Sequence, residues 1–130
     1  MYIAAENGDT EMVSLLLGAG ADANQATTTD GVTPVFVAAA YGHAEVISLL
    51  LEEGANVNQA TTDHGRTPVY IAAKNGHAEV VSLLLRAGAD VNQATTDHGR
   101  TPVYIAAGCG HAEVVSLLLE GGANVSWCRR

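Results

Sequence analysis

Apolar positions along the chain follow a helical spacing in two short stretches and then lose it in a third. Across residues 67–75, Val69, Ala72 and Ala73 stand at i, i+3, i+4, one face of a helix. Across 78–86, Val80, Val81, Leu84 and Leu85 make a second stripe that Leu83 widens. Residues 89–100 are polar and aperiodic: Asp90-Val91-Asn92-Gln93, then Ala94-Thr95-Thr96, then Asp97-His98-Gly99. The punctuation agrees with this division. The Thr67 hydroxyl can cap a helix, and Pro68 suits a first helical position, where a missing N–H costs nothing. The pattern predicts a helix over Pro68–Asn75 closed by Gly76, and a second over Ala78–Arg86 ending before Gly88. Helices this short are marginal alone in water, so packing must hold them. The two or three residues between them predict an antiparallel hairpin. Gly99, and Asp30-Gly31 upstream, signal tight turns. Residues 89–100 are therefore expected to form a projecting β-like finger, a loop with turns and not a sheet strand.

The same unit recurs. Thr33-Pro34, Thr67-Pro68 and Thr101-Pro102 are spaced 34 residues apart. Residues 67–91 laid over 101–125 differ at five of 25 positions: Lys74/Gly108, Asn75/Cys109, Arg86/Glu120, Ala87/Gly121 and Asp90/Asn124. Gly8, Gly42, Gly76 and Gly110 keep the step, as do Gly20, Gly54, Gly88 and Gly122. A repeat of this length means a stack of supersecondary units leaning on their neighbours, with the core running as a ribbon along it.

Composition narrows the function. Aromatics are 5% of the 130 residues, so Ala, Leu and Val must supply most of the packing. The net charge of −8 argues against nucleic acid, whose affinity comes from clustered cations. Arg66, Lys74, Arg86, Arg100, Arg129 and Arg130 are scattered, which points to a basic partner over an acidic one. Cys109 and Cys128 form neither a CxxC pair nor a disulfide framework, in keeping with a reducing, intracellular compartment. No signal-peptide pattern opens the chain, and no apolar run reaches membrane-spanning length.

Thr67-Pro68-Val69-Tyr70-Ile71-Ala72-Ala73, Gly76-His77-Ala78-Glu79-Val80-Val81, Leu84-Leu85 and Gly88-Ala89-Asp90-Val91-Asn92 together resemble the ankyrin repeat. The resemblance runs from Tyr2 to Val125, about three and three-quarter repeats. It implies an all-α ankyrin-type solenoid of helix-turn-helix units with β-hairpin-like finger loops. The expected organisation is one domain over 1–130: repeats 1–32 (truncated), 33–66, 67–100 and 101–126, and a tail 127–130. Two features depart from the family pattern. Phe36, Tyr70 and Tyr104 replace the usual His after Thr-Pro, and the period exceeds the family's 33 or so. The extra residue falls in Asn58–Gly65 and its equivalents, so longer or bulged fingers are expected. The first repeat lacks its Thr-Pro, and the last runs into Ser126-Trp127-Cys128-Arg129-Arg130 with no polar capping repeat, as in a segment of a longer array.

Catalysis finds little support. Asp63-His64 and Asp97-His98 suggest metal or acid–base chemistry. Zinc ligands lie about 2.0–2.3 Å from the ion, whereas residues one repeat apart should be about 8–10 Å apart. These histidines are therefore expected as exposed turn residues that do not converge, with no metal, cofactor or catalytic group. His43, His77 and His111 open each second helix, where Asp9 stands in the first copy. In the resembling family this His is structural near the interhelix turn, and an Asp there fits a capping role. Ser14, Ser48, Ser82 and Ser116 are expected on the solvent side without a triad, and Cys109 has no base beside it.

Binding is the better class. In the resembling family the fingers and first helices line a concave groove. The matching positions are Asp63, His64, Arg66, Lys74 and Asn75; Asp97, His98, Arg100, Gly108 and Cys109; upstream Thr29, Asp30, Val32, Ala40 and Tyr41; and Glu6 with Asn7. The pair ending each first helix varies most, while Ala38, Ala72 and Ala106 do not change. Phe36, Tyr70 and Tyr104 form an aromatic ladder, expected to be partly buried between repeats. Asn24, Asn58 and Asn92 stand at the finger base. Similar asparagines in the family are substrates of an intracellular asparaginyl hydroxylase, and they also suit turn backbones structurally. The expectation is a monomeric, non-catalytic scaffold for a protein or peptide of basic or amide character. The alternative is a spacer segment with no groove of its own.

Overall fold

The computed structural model describes residues 1–125. Among them are eight helices and no strand: α1 (Tyr2–Glu6), α2 (Thr10–Gly18), α3 (Pro34–Tyr41), α4 (Ala44–Glu52), α5 (Pro68–Asn75), α6 (Ala78–Arg86), α7 (Pro102–Gly108) and α8 (Ala112–Glu120). The bounds of α5 and α6 agree with the sequence expectation. Local chemistry explains them. Thr33, Thr67 and Thr101 accept the amides of Phe36, Tyr70 and Tyr104 at 3.2, 3.2 and 3.3 Å, and a proline opens each of α3, α5 and α7. α1 has no such cap and spans five residues.

Each hairpin packs its two helices together, and equivalent helices stack. α1, α3, α5 and α7 form one layer; α2, α4, α6 and α8 form the other. Between the layers runs one apolar ribbon. Ala5, Ala38, Ala39, Ala72, Ala73 and Ala106 are fully buried along the first layer, and their size lets neighbouring helices close in. Val13, Val46, Ile47, Leu50, Val81, Leu84 and Leu118 fill the side of the second layer. Each large residue contributes about 1.5–3 kcal/mol by leaving water. Since no single hairpin could bury both of its flanks, the stack itself supplies the stability.

The aromatic ladder is graded. Phe36 is half-buried, Tyr70 is 3% exposed and Tyr104 is 44% exposed, so Tyr70 goes beyond the expected partial burial. Ser14 and Ser116 face solvent as expected. Ser48 and Ser82 are half-buried instead, because inner repeats are packed on both sides. The expectations for Ser126 to Arg130 lie outside the described residues.

Candidate protein-binding face

The fingers are small closed loops. Thr61 N donates to Arg66 O at 2.9 Å, and Arg66 N donates back to Thr61 Oγ1 at 3.1 Å. Thr95 with Arg100 repeats this at 2.9 and 3.1 Å, and Thr27 with Val32 at 3.0 and 3.0 Å. Thr61 and Thr95 are buried, so a hydroxyl inside the loop replaces one backbone partner of a true hairpin. The finger is β-like in this limited sense.

Three sets of side-chain and backbone bonds then stitch finger to finger and hairpin to hairpin. At the bases, Asn24 Oδ1 accepts Asn56 N at 2.7 Å, Asn58 Oδ1 accepts Asp90 N at 2.7 Å, and Asn92 Oδ1 accepts Asn124 N at 2.8 Å. The same amides donate Nδ2 to the carbonyls of Gly54, Gly88 and Gly122 at 3.3, 3.4 and 3.4 Å. Of the two expectations for these asparagines, the structural one placed them in their own turns, whereas they bond across the junction. The local turns are made by Asp22, Asn56 and Asp90, whose side chains accept the amides two residues on, which frees the asparagines to reach the next repeat.

At the hairpin turns, His43, His77 and His111 donate Nε2–H to the carbonyls of Glu6, Ala40 and Lys74 in the preceding repeat, at 2.9, 3.1 and 3.0 Å. The capping role expected of this position belongs to Asp9 alone, which accepts Met12 N at 3.0 Å. The imidazoles make no cap bond, since a ring this long reaches across the junction instead of back to its own helix. Each ring also covers a glycine. A Cβ at Gly42, where φ is +76°, would lie 2.7 Å from His77 Nδ1.

At the fingertips, Thr62 N donates to Asp30 O and Thr96 N to His64 O, both at 2.8 Å. His64 and His98 are exposed, as expected of turn residues, and one further contact was not anticipated. His64 does converge with a residue of the next repeat: its Nδ1 lies 3.2 Å from Asp97 Oδ2, and its Nε2 lies 3.9 Å from Asp63 Oδ2. The contact joins non-equivalent positions of successive fingers, which the spacing of equivalent residues does not describe. Both carboxyls are held below the usual carboxylate range. For Asp63 the Thr61 hydroxyl is the main cause, followed by the His64 amide; for Asp97 it is the Thr95 hydroxyl, then the His98 amide and the two imidazoles. Among the described residues, no three His, Cys, Asp or Glu side chains gather as metal ligands.

The remaining groove positions form a row along the ends of α1, α3, α5 and α7. Asn7, Tyr41, Asn75 and Cys109 are exposed; Glu6, Ala40 and Lys74 are half-buried, and Gly108 is exposed. Two contacts link the row: Tyr41 donates its hydroxyl to Glu6 Oε2 at 3.3 Å, and Asn75 donates Nδ2 to Ala40 O at 2.8 Å. The Glu6 carboxylate, by its charge and this bond, pushes the Tyr41 phenol up. Val32 is half-buried and tied into its own finger; Asp30, Asp63, His64, Asp97, His98 and Arg100 are exposed, and Arg66 is half-buried. The residues that sequence reasoning passed over are Thr27, Thr61 and Thr95. Their recurrence five positions before Val32, Arg66 and Arg100 was the available signal.

Hairpins joined through main-chain atoms at turn, fingertip and base make up a helical repeat solenoid. A family model for ankyrin repeats (three copies) matches residues 1–95 and 61–127, and the chain belongs to the ankyrin repeat family. No curated protein matches it. Ankyrin repeats are generally protein-interaction modules and typically non-catalytic. Among the described residues no helix is long and apolar enough to cross a membrane.

Proposed function

We propose that this chain is a non-catalytic scaffold that binds a protein or peptide along the row formed by its fingers and the ends of its first helices. One observation carries the reading. The residues that differ most between repeats, Glu6-Asn7, Ala40-Tyr41, Lys74-Asn75 and Gly108-Cys109, end successive first helices, the first three pairs joined by hydrogen bonds, and alanines beside them, Ala38, Ala72 and Ala106, never change and are fully buried. Variation at this row thus sits on a support that is fixed, although Arg86/Glu120, Ala87/Gly121 and Asp90/Asn124 vary away from it. Because the row is pre-organised by the stack, little ordering entropy opposes association.

The charge of the row refines the partner. It carries the carboxylates of Glu6, Asp30, Asp63 and Asp97 against the cations of Arg66, Lys74 and Arg100. Much of the remaining acidity lies on the second helices, at Glu11, Glu45, Glu52, Glu79, Glu113 and Glu120. Basic or amide character therefore suits the partner beside Glu6 and Asp30, and acidic character suits it beside Lys74 and Arg100. The test compares the proteins captured by the chain and by a variant with Tyr41→Ala, Lys74→Glu and Asn75→Ala. Circular dichroism verifies that the variant is folded. A partner captured by the parent chain and lost by the variant is expected; identical capture, or none by either, refutes the groove reading.

A further inference from the structure

Tyr41 is larger than its place in the fold requires. It is 55% exposed, in a repeat packed between α1 on one side and α5 on the other, so the exposure belongs to the inside of the stack. Asn75 and Cys109 stand at the equivalent positions, and the junction closes there without an aromatic ring. His77 and His111 reach the preceding carbonyl at 3.1 and 3.0 Å, as His43 does at 2.9 Å beside Tyr41. Joining the repeats therefore does not account for the ring.

The ring is nevertheless held in place. Its hydroxyl donates to Glu6 Oε2 at 3.3 Å, and it stacks beside the His43 imidazole with centroids 6.2 Å and planes 22° apart. His43 is itself pinned to Glu6 O, so carboxylate, phenol and imidazole form one cluster across the junction. That cluster has no counter-charge. Glu6, first by its charge and then by its hydrogen bond, pushes the Tyr41 phenol up, and no cation among the described residues offsets it. Nor does any described Lys or Arg form an ion pair with Glu6.

We infer that Tyr41 and Glu6 form a receptor for one arginine side chain of the partner protein. The guanidinium lies flat on the ring face away from His43 and pairs with the Glu6 carboxylate at the edge of the phenol. Arginine fits better than lysine because its planar head stacks and hydrogen-bonds together, whereas an ammonium is a strongly hydrated point charge. An acidic side chain would meet the carboxylate as a like charge. The inference rests on the groove reading and deepens it, naming the residue that the partner sets at the junction of the first two repeats.

The test uses the 130-residue chain and two acetylated, amidated pentapeptides. One is Gly-Gly-Arg-Gly-Gly; the other carries citrulline for arginine, which keeps the planar head without its charge. Titrations to tens of millimolar, followed by amide NMR, should show the arginine peptide shifting signals of Glu6, Asn7, Tyr41 and Gly42. It should bind about three- to tenfold tighter than the citrulline peptide, the range of one exposed cation–π contact with one exposed ion pair. Tyr41→Leu and Glu6→Gln should each cut that preference by about twofold or more. Tyr41→Phe, which keeps the ring and loses the hydroxyl, should retain most of it; circular dichroism verifies that each variant is folded. Equal binding of the two peptides, shifts centred on the glutamates of the second helices, or no shift at the highest concentration would each overturn the proposal. So would a preference unchanged in Tyr41→Leu, or one lost as fully in Tyr41→Phe. A failed peptide test leaves partner capture by the row untouched, and a row that captures no partner leaves the arginine preference standing.

Discussion

Replacing Gly42 by alanine separates two costs that coincide at this position. Gly42 has φ +76°, and His77 lies over it with Nδ1 2.7 Å from where the new Cβ would stand. Holding alanine in the left-handed region costs about 1–2 kcal/mol. The methyl must also displace the His77 ring, which then loses its 3.1 Å bond to Ala40 O, a further 0.5–1.5 kcal/mol or so. The total expected for Gly42→Ala is about 2–3 kcal/mol. Gly110 has nearly the same backbone, φ +78°, with nothing within 4 Å of its Cβ, so Gly110→Ala should cost only the first part. Urea unfolding followed by circular dichroism measures both. The decisive comparison is the cycle with His77→Ala, where removing the ring should lower the cost of Gly42→Ala by about 1 kcal/mol. A coupling below about 0.3 kcal/mol would refute the steric account, because additivity at that level is what independent sites show.

Leu84→Ala, at a fully buried position between the layers, should destabilise the chain by about 2–5 kcal/mol in the same urea assay. Asn58→Ala removes the acceptor of Asp90 N and the donor to Gly88 O; a loss of about 1–3 kcal/mol is expected, with faster hydrogen exchange at the Asp90 amide. Asp97 has a carboxyl pKa lowered on folding, so its contribution is present above the ordinary value of 3.8 and is lost as pH falls through the lower folded value. Unfolding below pH 4 or so should therefore be less acid-sensitive in Asp97→Asn than in the parent chain, and parallel acid titrations would contradict the assignment.

The elements written within one repeat were legible in the sequence. Thr67 and Pro68 fix where α5 begins, Gly76 fixes where it stops, and the Val80-Val81-Leu84 stripe gives α6 its buried face. What joins one repeat to another was not legible. His77 and Asn58 reach main-chain atoms of the preceding and following repeat, and no spacing rule inside one repeat points there. The encounter of His64 with Asp97 lies beside a backbone bond, Thr96 N to His64 O, and joins non-equivalent residues of successive repeats, which comparing equivalent positions does not anticipate. The candidate row was readable as a set of positions; its continuity through Tyr41–Glu6 and Asn75–Ala40 needed coordinates.

The hydrogen bonds that join the turns and bases of successive hairpins all end on peptide groups: the carbonyls of Glu6, Ala40 and Lys74 for the imidazoles, and the amides of Asn56, Asp90 and Asn124 for the asparagines. A coupling of this kind is blind to which side chain the neighbour carries, so glutamate, alanine and lysine serve equally well as its address. Units can then be duplicated, deleted or shuffled within a gene without a matching change next door. Selection on what the surface recognises is freed from selection on whether the pieces still fit.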